Sequence, residues 1–166
     1  MNLVKYPNPI LDTPMQEVNV ENPGFDPVKL KKEMIDLMVK SKGLGLSACQ
    51  VGLNYKLFVI GESANTSMMV INPEIIETDG ECTWEEGCLS VPDCTEEVKR
   101  KKKVTVRYQN LEGETLEIVG EDLMAIALQH EIDHLDGILF IDRLSRLKRN
   151  LLKKKLREES PENKKL

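Results

Sequence analysis

Apolar residues recur at helical spacing in three parts of this chain, and the first part begins near residue 26. Asp26 is suited to cap a helix and Pro27 to open it, while Gly43 is suited to end it. The stripe between them consists of Leu30, Met34, Leu37 and Met38. This pattern predicts an amphipathic helix with one buried face.

A second helical pattern begins at Glu121 and Asp122, where acidic residues suit the positive end of the helix dipole. Gly137 is a natural stop for this helix. One face collects Leu123, Ile126, Ala127, His130 and His134. The two histidines continue the apolar stripe, so we expect them to point into the protein.

The third helical pattern runs from Leu144 onward, and residues 158–166 follow it as a polar, frayed tail. Four leucines are expected on one side of this amphipathic helix: Leu144, Leu147, Leu151 and Leu152.

Shorter apolar runs predict strands between the first two helices. Residues 56–60 and 68–71 suggest a hairpin that ends at Asn72-Pro73, and residues 104–108 and 115–119 suggest a second pair. The helices are segregated from the strands and no βαβ order appears. The pattern therefore indicates the α+β class rather than α/β.

The length of 166 residues, with 40% hydrophobic and 31% charged residues, is typical of one globular domain. No apolar run reaches about 18 residues, so we expect no membrane span. The N-terminus resembles neither a signal nor a transit peptide, and the four cysteines do not suggest a secreted disulfide framework. We expect a cytoplasmic protein with reduced cysteines, and a monomer.

Charge is distributed unevenly along the chain. Eight basic residues and no acidic residue lie between Arg143 and Arg157, although the whole chain has a net charge of −5. The last nine residues contribute −1, so residues 1–142 carry −12. A basic helix beside an acidic body favours a phosphate-rich partner, although most charged helix faces are simply solvated.

The histidine motif His130-Glu131-Ile132-Asp133-His134 contains both histidines of the chain. Two residues four positions apart on a helix lie on one face, so their imidazoles can bind one metal ion. Glu131 then lies beside that pair, within reach of a water molecule. The motif predicts a catalytic metal site; the alternative is a core helix with two buried, hydrogen-bonded histidines.

Two histidines leave such a site incomplete, because catalytic zinc-type sites use three protein ligands and keep one position open. The acidic residues downstream lie at the helix end or in the polar tail and are poor candidates. Cys88, in residues 85–92 that we expect to be irregular, would complete the set as a thiolate. It is also compatible with a buried structural thiol, as we interpret Cys49, Cys82 and Cys94.

Three stretches together resemble the peptide deformylase family, in its order and at its usual spacings. They are Gly43-Leu44-Gly45-Leu46-Ser47-Ala48-Cys49-Gln50, Glu86-Gly87-Cys88-Leu89-Ser90 and the histidine motif. The resemblance covers residues 3–150 and departs at Ser47, where the family usually has alanine, and in the acidic loop 93–97. It implies a deformylase-like catalytic domain over residues 1–150, to which the basic helix and tail at 144–166 also belong.

The resemblance implies removal of the formyl group from the N-terminal formylmethionine of newly made polypeptides, with release of formate. It implies antiparallel sheets wrapped around a central metal-binding helix, with the C-terminal amphipathic helix outside. It also implies one divalent metal ion per chain, Fe²⁺ natively and Zn²⁺ or Ni²⁺ in purified protein.

The implied metal ligands are Cys88, His130 and His134. Glu131 is implied as the general base, with the Gln50 amide and the backbone N–H of Leu89 as donors to the oxyanion. Gly45 is expected to hydrogen-bond the peptide backbone. The pocket for the methionine side chain is expected to consist of Leu44, Trp84, Leu123, Ile126 and Ala127.

The expected partners are nascent formylated polypeptides and, through the basic helix, the ribosome. Two other functions remain open. One is a peptidase whose third metal ligand is not Cys88, and the other is a non-enzymatic RNA-binding or ribosome-associated module with a structural metal. Metal binding after a Cys88→Ala replacement tests the first, and a formyl-peptide assay tests the second.

Overall fold

The computed structural model describes residues 1–160, which form three α-helices and one five-stranded antiparallel sheet. The helices are α1 (Pro27–Lys40), α2 (Asp122–Leu135) and α3 (Arg146–Glu158). The strands, which pair in chain order, are β1 (Gly45–Ser47), β2 (Leu57–Ile60), β3 (Met68–Cys88), β4 (Val91–Gln109) and β5 (Thr115–Glu121). The α+β class and the antiparallel pairing are confirmed, and the strands form one continuous sheet rather than several.

The first predicted helix is confirmed together with its cap. The Asp26 carboxylate accepts hydrogen bonds from two backbone N–H groups of the first turn, at 3.0 and 3.1 Å. The helix ends at Lys40, close to the predicted end at Gly43. Its buried face consists of Leu30, Met34, Ile35 and Met38.

The sheet separates two apolar clusters, because successive residues of a strand point to opposite faces. The α1 core includes Met34, Met38, Leu57, Val59 and Met69. The α2 core includes Phe58, Ile60, Val70, Leu128 and Leu135. Helices α1 and α2 therefore cover opposite faces of β2, whose four residues are all buried.

The predicted hairpin between β2 and β3 is confirmed, but the predicted end of β3 at Asn72-Pro73 is wrong. The strand continues to Cys88, with an irregular register between Ile71 and Glu74. Asn72 adopts φ 49° there, and its side chain exchanges hydrogen bonds of 2.9 and 2.8 Å with the backbone of Val18. The Asn72 amide thus ties Val18, in the segment before α1, to β3, and the sheet continues past Pro73, which has no N–H group to donate.

The expectation of irregular structure over residues 85–92 is also wrong. These residues belong to β3 and β4, apart from the tight turn at Leu89-Ser90. Glu86 is buried and Cys88 half-buried on one face, while Glu85 and Gly87 on the other face are exposed, so burial alternates here without the apolar alternation that would reveal a strand. Farther along the hairpin, exposed charge pairs such as Lys101 with Glu81 join β3 to β4.

The C-terminal helix is confirmed, but its leucine stripe is only half right. The leucines that pack against the α2 core are Leu144, Leu152 and Leu156. Leu147 and Leu151 are 71% and 60% exposed, so they do not belong to the buried side. Residues 161–166 of the predicted tail lie outside the described residues. No helix within residues 1–160 is long and apolar enough to cross a bilayer.

Candidate active site

The three sequence motifs, which are far apart in the chain, meet at one cleft of about 510 Å³. The first motif forms β1 and the 3₁₀ turn Ala48–Val51 behind it, the second ends β3, and the third lies on α2. Every residue predicted to bind substrate lines the cleft: Leu44, Gly45, Trp84, Leu123, Ile126 and Ala127.

The three predicted metal ligands lie together. Cys88, His130 and His134 each place one ligand atom within 4.8 Å of the other two. Sγ of Cys88 lies 3.3 Å from Nε2 of His134. Ligand atoms at ~2.3 Å (sulfur) and ~2.0 Å (nitrogen) around a tetrahedral metal ion are about 3.3–3.6 Å apart, so the separation of Cys88 and His134 already matches such an ion. Within the described residues, no other group of three His, Cys, Asp or Glu side chains is as close.

Glu86 orients one of these histidines, a role that the sequence leaves open. Nδ1 of His130 lies 2.9 Å from Oε1 of Glu86, which leaves Nε2 of the ring available as a ligand. Glu86 is held in turn by Arg100, which donates to both carboxylate oxygens at 2.8 and 3.0 Å. Two hydrogen bonds from one planar guanidinium fix the plane of the carboxylate and therefore the angle of the imidazole.

Asp133 has a different role from Glu86, although both are buried carboxylates near the histidines. It accepts hydrogen bonds from Arg100 and Arg143, both at 2.6 Å, and none of its described partners is a histidine. Glu86, Arg100 and Asp133 are buried and join the 45% exposed Arg143 in one charge network, which links α2 to β3, β4 and the turn at Arg143. The sequence gives no sign of Arg100, which lies in the basic run Lys99–Lys103.

The predicted base, Glu131, is 4% exposed and lies against β1. The hydroxyl of Ser47 donates to its Oε2 at 2.6 Å. A Cβ at Gly45 would lie only 2.6 Å from Oε1, so only glycine leaves room for the carboxylate here. Burial raises the pKa of Glu131 above its usual range, which suits a proton acceptor near neutral pH.

Gln50 is held so that its amide nitrogen points toward the ligand cluster. Its Oε1 accepts from the backbone N–H of Ser47 at 2.9 Å. Its Nε2 donates to Oγ of Ser90 at 3.2 Å and lies 3.6 Å from Sγ of Cys88. Leu89, the second predicted donor to the oxyanion, lies in the turn after Cys88 and lines the same cleft.

The two histidines differ in their acid–base properties. Burial lowers the pKa of His134 well below its ordinary value, so this imidazole is neutral and suited to bind a metal. Burial also lowers the pKa of His130, but contacts with Cys88 and Glu86 outweigh burial and place that pKa well above its ordinary value. A metal cation bound by His130 would displace this proton.

The outer wall of the cleft is apolar and open to solvent. Trp84 and Leu123 are 42% and 47% exposed, although both are large apolar side chains. Apolar side chains that remain open in a concave site indicate a ligand that covers them. Asp93, Cys94 and Thr95, in the acidic segment where the chain departs from the family, also line the cleft.

Comparisons with known proteins agree with this geometry. The family model of polypeptide deformylase matches residues 1–150. A peptide deformylase of Acidobacterium capsulatum is 47% identical over 160 residues, which covers 94% of this chain and 93% of that protein. A peptide deformylase of Desulfotalea psychrophila is 43% identical over 163 residues, which covers 95% of each chain.

Solved structures show the same likeness. A crystal structure of a peptide deformylase from Legionella pneumophila superimposes with a TM-score of 0.86 at 37% identity, and the match covers 99% of this chain and 98% of that one. The family match and these relatives extend over the three motifs that meet at the cleft. The chain belongs to the polypeptide deformylase family.

Proposed function

We propose that this protein is a hydrolase that removes the N-formyl group from the N-terminal formylmethionine of newly synthesised polypeptides and releases formate. The observation that carries this function is the meeting of Cys88, His130 and His134 beside the buried carboxylate of Glu131. Membership of the deformylase family gives the substrate class.

We propose that Cys88, His130 and His134 hold one divalent metal ion per chain. A thiolate with two imidazoles suits a borderline or soft ion, which supports Fe²⁺ natively and Zn²⁺ or Ni²⁺ in purified protein. When bound, such an ion supplies Lewis-acid chemistry, which polarises a carbonyl and makes water more acidic.

Glu131 acts as the general base in this proposal. It takes a proton from the water that attacks the formyl carbon, and it returns that proton to the amine when the C–N bond breaks. The Gln50 amide and the backbone N–H of Leu89 donate to the oxyanion that develops on the formyl oxygen. Because Gln50 is already held by Ser47 and Ser90, its dipole needs little reorganisation during the reaction.

The apolar wall of the cleft supports methionine as the first residue of the substrate. Leu44, Trp84, Leu123, Ile126 and Ala127 surround a space for an unbranched thioether side chain. Gly45 lies on the edge strand β1 and lines the cleft, where its backbone can hydrogen-bond an extended peptide.

We also propose that α3 docks on the ribosome, which places the enzyme in the cytoplasm with its substrate. Five basic residues of α3 are exposed, as are Leu147 and Leu151. The five are Arg146, Lys148, Lys154, Lys155 and Arg157. A positive surface of this kind favours ribosomal RNA in a salt-dependent manner.

One assay separates this function from that of a peptidase. Metal-loaded protein is incubated with a formyl-Met-Ala-Ser peptide under anaerobic conditions, and both formate and peptide fragments are measured. We expect formate and an intact deformylated tripeptide. Cleavage of an internal peptide bond without formate would assign the protein to the peptidases instead.

A further inference from the structure

We propose that Ser47 is a positioning residue for the general base: its hydroxyl holds Oε2 of Glu131 and leaves Oε1 as the oxygen that accepts the proton. This inference rests on the proposed role of Glu131. It concerns the one position in the first motif at which the chain departs from the alanine that is usual in the family.

The contact between the two side chains is short and buried. Oγ of Ser47 lies 2.6 Å from Oε2 of Glu131 and 3.2 Å from the backbone oxygen of the same residue. A hydroxyl has one proton, and the shorter contact to the charged acceptor is the stronger hydrogen bond. Ser47 is 0% exposed, so water does not compete for this bond. Within residues 1–160, no other side chain donates to the Glu131 carboxylate.

The other carboxylate oxygen lies against a second residue of the same strand. Gly45 approaches so closely that a Cβ there would contact Oε1, Cγ and Cδ of Glu131 at 2.6–2.8 Å. Residues two apart on a strand share one face, so Gly45 and Ser47 both face α2, while Leu46 between them packs into the α1 core. The strand thus holds one oxygen by a hydrogen bond and, because Gly45 has no side chain, leaves room for the other.

The position of β1 is itself fixed by the sheet. Gly45 pairs with Ile60 and Ser47 with Phe58, and both partners are buried in the α2 core. The backbone N–H of Ser47 also binds the Gln50 side chain at 2.9 Å. One residue therefore holds two groups of the site, the base through its hydroxyl and the oxyanion donor through its backbone. An alanine would keep the second contact and lose the first.

The kinetic test compares Ser47→Ala with wild type at equal metal content. We expect kcat to fall about tenfold, because a general base without its hydrogen bond spends less time in the reactive geometry. KM should stay within about twofold, since Ser47 does not line the cleft. Ser47→Thr keeps the hydroxyl and should recover most of kcat, whereas an unchanged kcat in Ser47→Ala would overturn the proposal.

A second test measures the contact without measuring activity. Unfolding by denaturant is followed for the full-length, Zn²⁺-loaded wild type, Ser47→Ala, Glu131→Ala and the double variant. We expect Ser47→Ala to raise the equilibrium constant for unfolding in both backgrounds. The increase should be about tenfold larger in the wild-type background than in the Glu131→Ala background. The metal ligands are the same in all four proteins, so their contribution cancels.

Ser90→Ala is the matched control for this cycle. Ser90 is also 0% exposed and lies in the same site, but its hydroxyl accepts from Gln50 and does not contact Glu131. The destabilisation caused by Ser90→Ala should be the same in the wild-type and Glu131→Ala backgrounds. Equal effects for Ser47→Ala in both backgrounds would overturn the proposal. An inactive wild type would contradict the deformylase function instead, and the unfolding cycle would still report on the contact.

Discussion

Helices α2 and α3 have almost the same length, 14 and 13 residues, yet they place their charged residues in opposite environments. Nine residues of α2 are buried, including Glu131, Asp133 and His134, whereas α3 has no buried residue. Charges on α2 meet fixed partners at short range in a medium of low dielectric constant. Most charges on α3 face water and act mainly through their summed field, Lys153 with its partner Asp142 being an exception.

The ion pairs of the two helices differ in the same way. Asp133 of α2 and Arg100 lie 2.6 Å apart, and less than a tenth of each side chain is exposed. Lys155 and Glu159 at the end of α3 lie 4.0 Å apart, and more than half of each side chain is exposed. Breaking a buried pair leaves an uncompensated charge, whereas an exposed pair contributes little. We therefore expect substitutions at α2 and its partners to affect chemistry and folding, and substitutions on α3 to affect association.

The largest effect is expected at Glu131. Glu131→Ala should lower kcat by about 10²-fold or more, because it removes the general base. Metal content should stay at the wild-type level, since the three ligands are untouched. Formate release and metal analysis on the same sample measure both quantities, and a wild-type kcat would exclude this role for Glu131.

The largest effect on stability is expected at the buried part of the charge network. Arg100→Met should lower the free energy of unfolding by roughly 3–5 kcal/mol, because Glu86 and Asp133 lose a buried partner. Lys101→Met on the same strand is the control, since its pair with Glu81 is exposed, and should cost less than about 1 kcal/mol. Equal losses in the two variants, measured by denaturant unfolding, would remove the distinction between buried and exposed pairs.

A smaller effect is expected at the apolar wall of the cleft. Formyl-Met peptides should exceed formyl-Gly peptides in kcat/KM by roughly ten- to a hundredfold, since burial of a methionine side chain contributes about 1.5–3 kcal/mol. Leu123→Ala should reduce this ratio. Equal kcat/KM values for the two wild-type reactions would show that no methionine pocket exists.

The smallest effect on the isolated protein is expected on α3. The double variant Arg146→Glu/Lys154→Glu should unfold within about 0.5 kcal/mol of wild type, because both side chains are exposed. Its co-sedimentation with ribosomes at low salt should fall clearly. Lys32→Glu/Lys40→Glu reverses two exposed lysines on α1 and controls for net charge. Sedimentation equal to wild type in the α3 variant would exclude docking through this helix.

These substitutions are a better test than removal of everything after Leu144. Leu152 and Leu156 pack against the α2 core, and Lys153 pairs with Asp142 at 2.7 Å. A truncated chain would therefore lose packing as well as charge, and a fall in ribosome binding would have two explanations.

The sequence predicted those parts of the site that depend on local spacing. Two histidines four apart on α2 share a face by helix geometry, and the cap at Asp26 follows from one residue and its neighbours. The likeness to the deformylase family favoured Cys88 as the third ligand, a role that spacing left open because Cys88 meets the histidines only through the fold. The roles themselves remain predictions that the experiments test.

The missed features depend on long-range contacts or on exposure. Arg100 is one of five consecutive basic residues, and only the crossing of β4 over α2 selects it for burial. The outer part of β3 is exposed on both faces, so it lacks the alternation from which strands are recognised. In α3, helical spacing alone does not identify the leucines that contact the α2 core. Leu147 and Leu151 have the right spacing but are exposed.

The central claim is that one metal ion, held by Cys88, His130 and His134, is required for formate release. The most direct measurement determines metal per chain and formate release from a formyl-Met peptide on the same anaerobic samples of wild type and Cys88→Ser. We expect about one ion per chain and rapid release in wild type, and loss of both in Cys88→Ser. Full metal occupancy with unchanged formate release in Cys88→Ser would contradict the account.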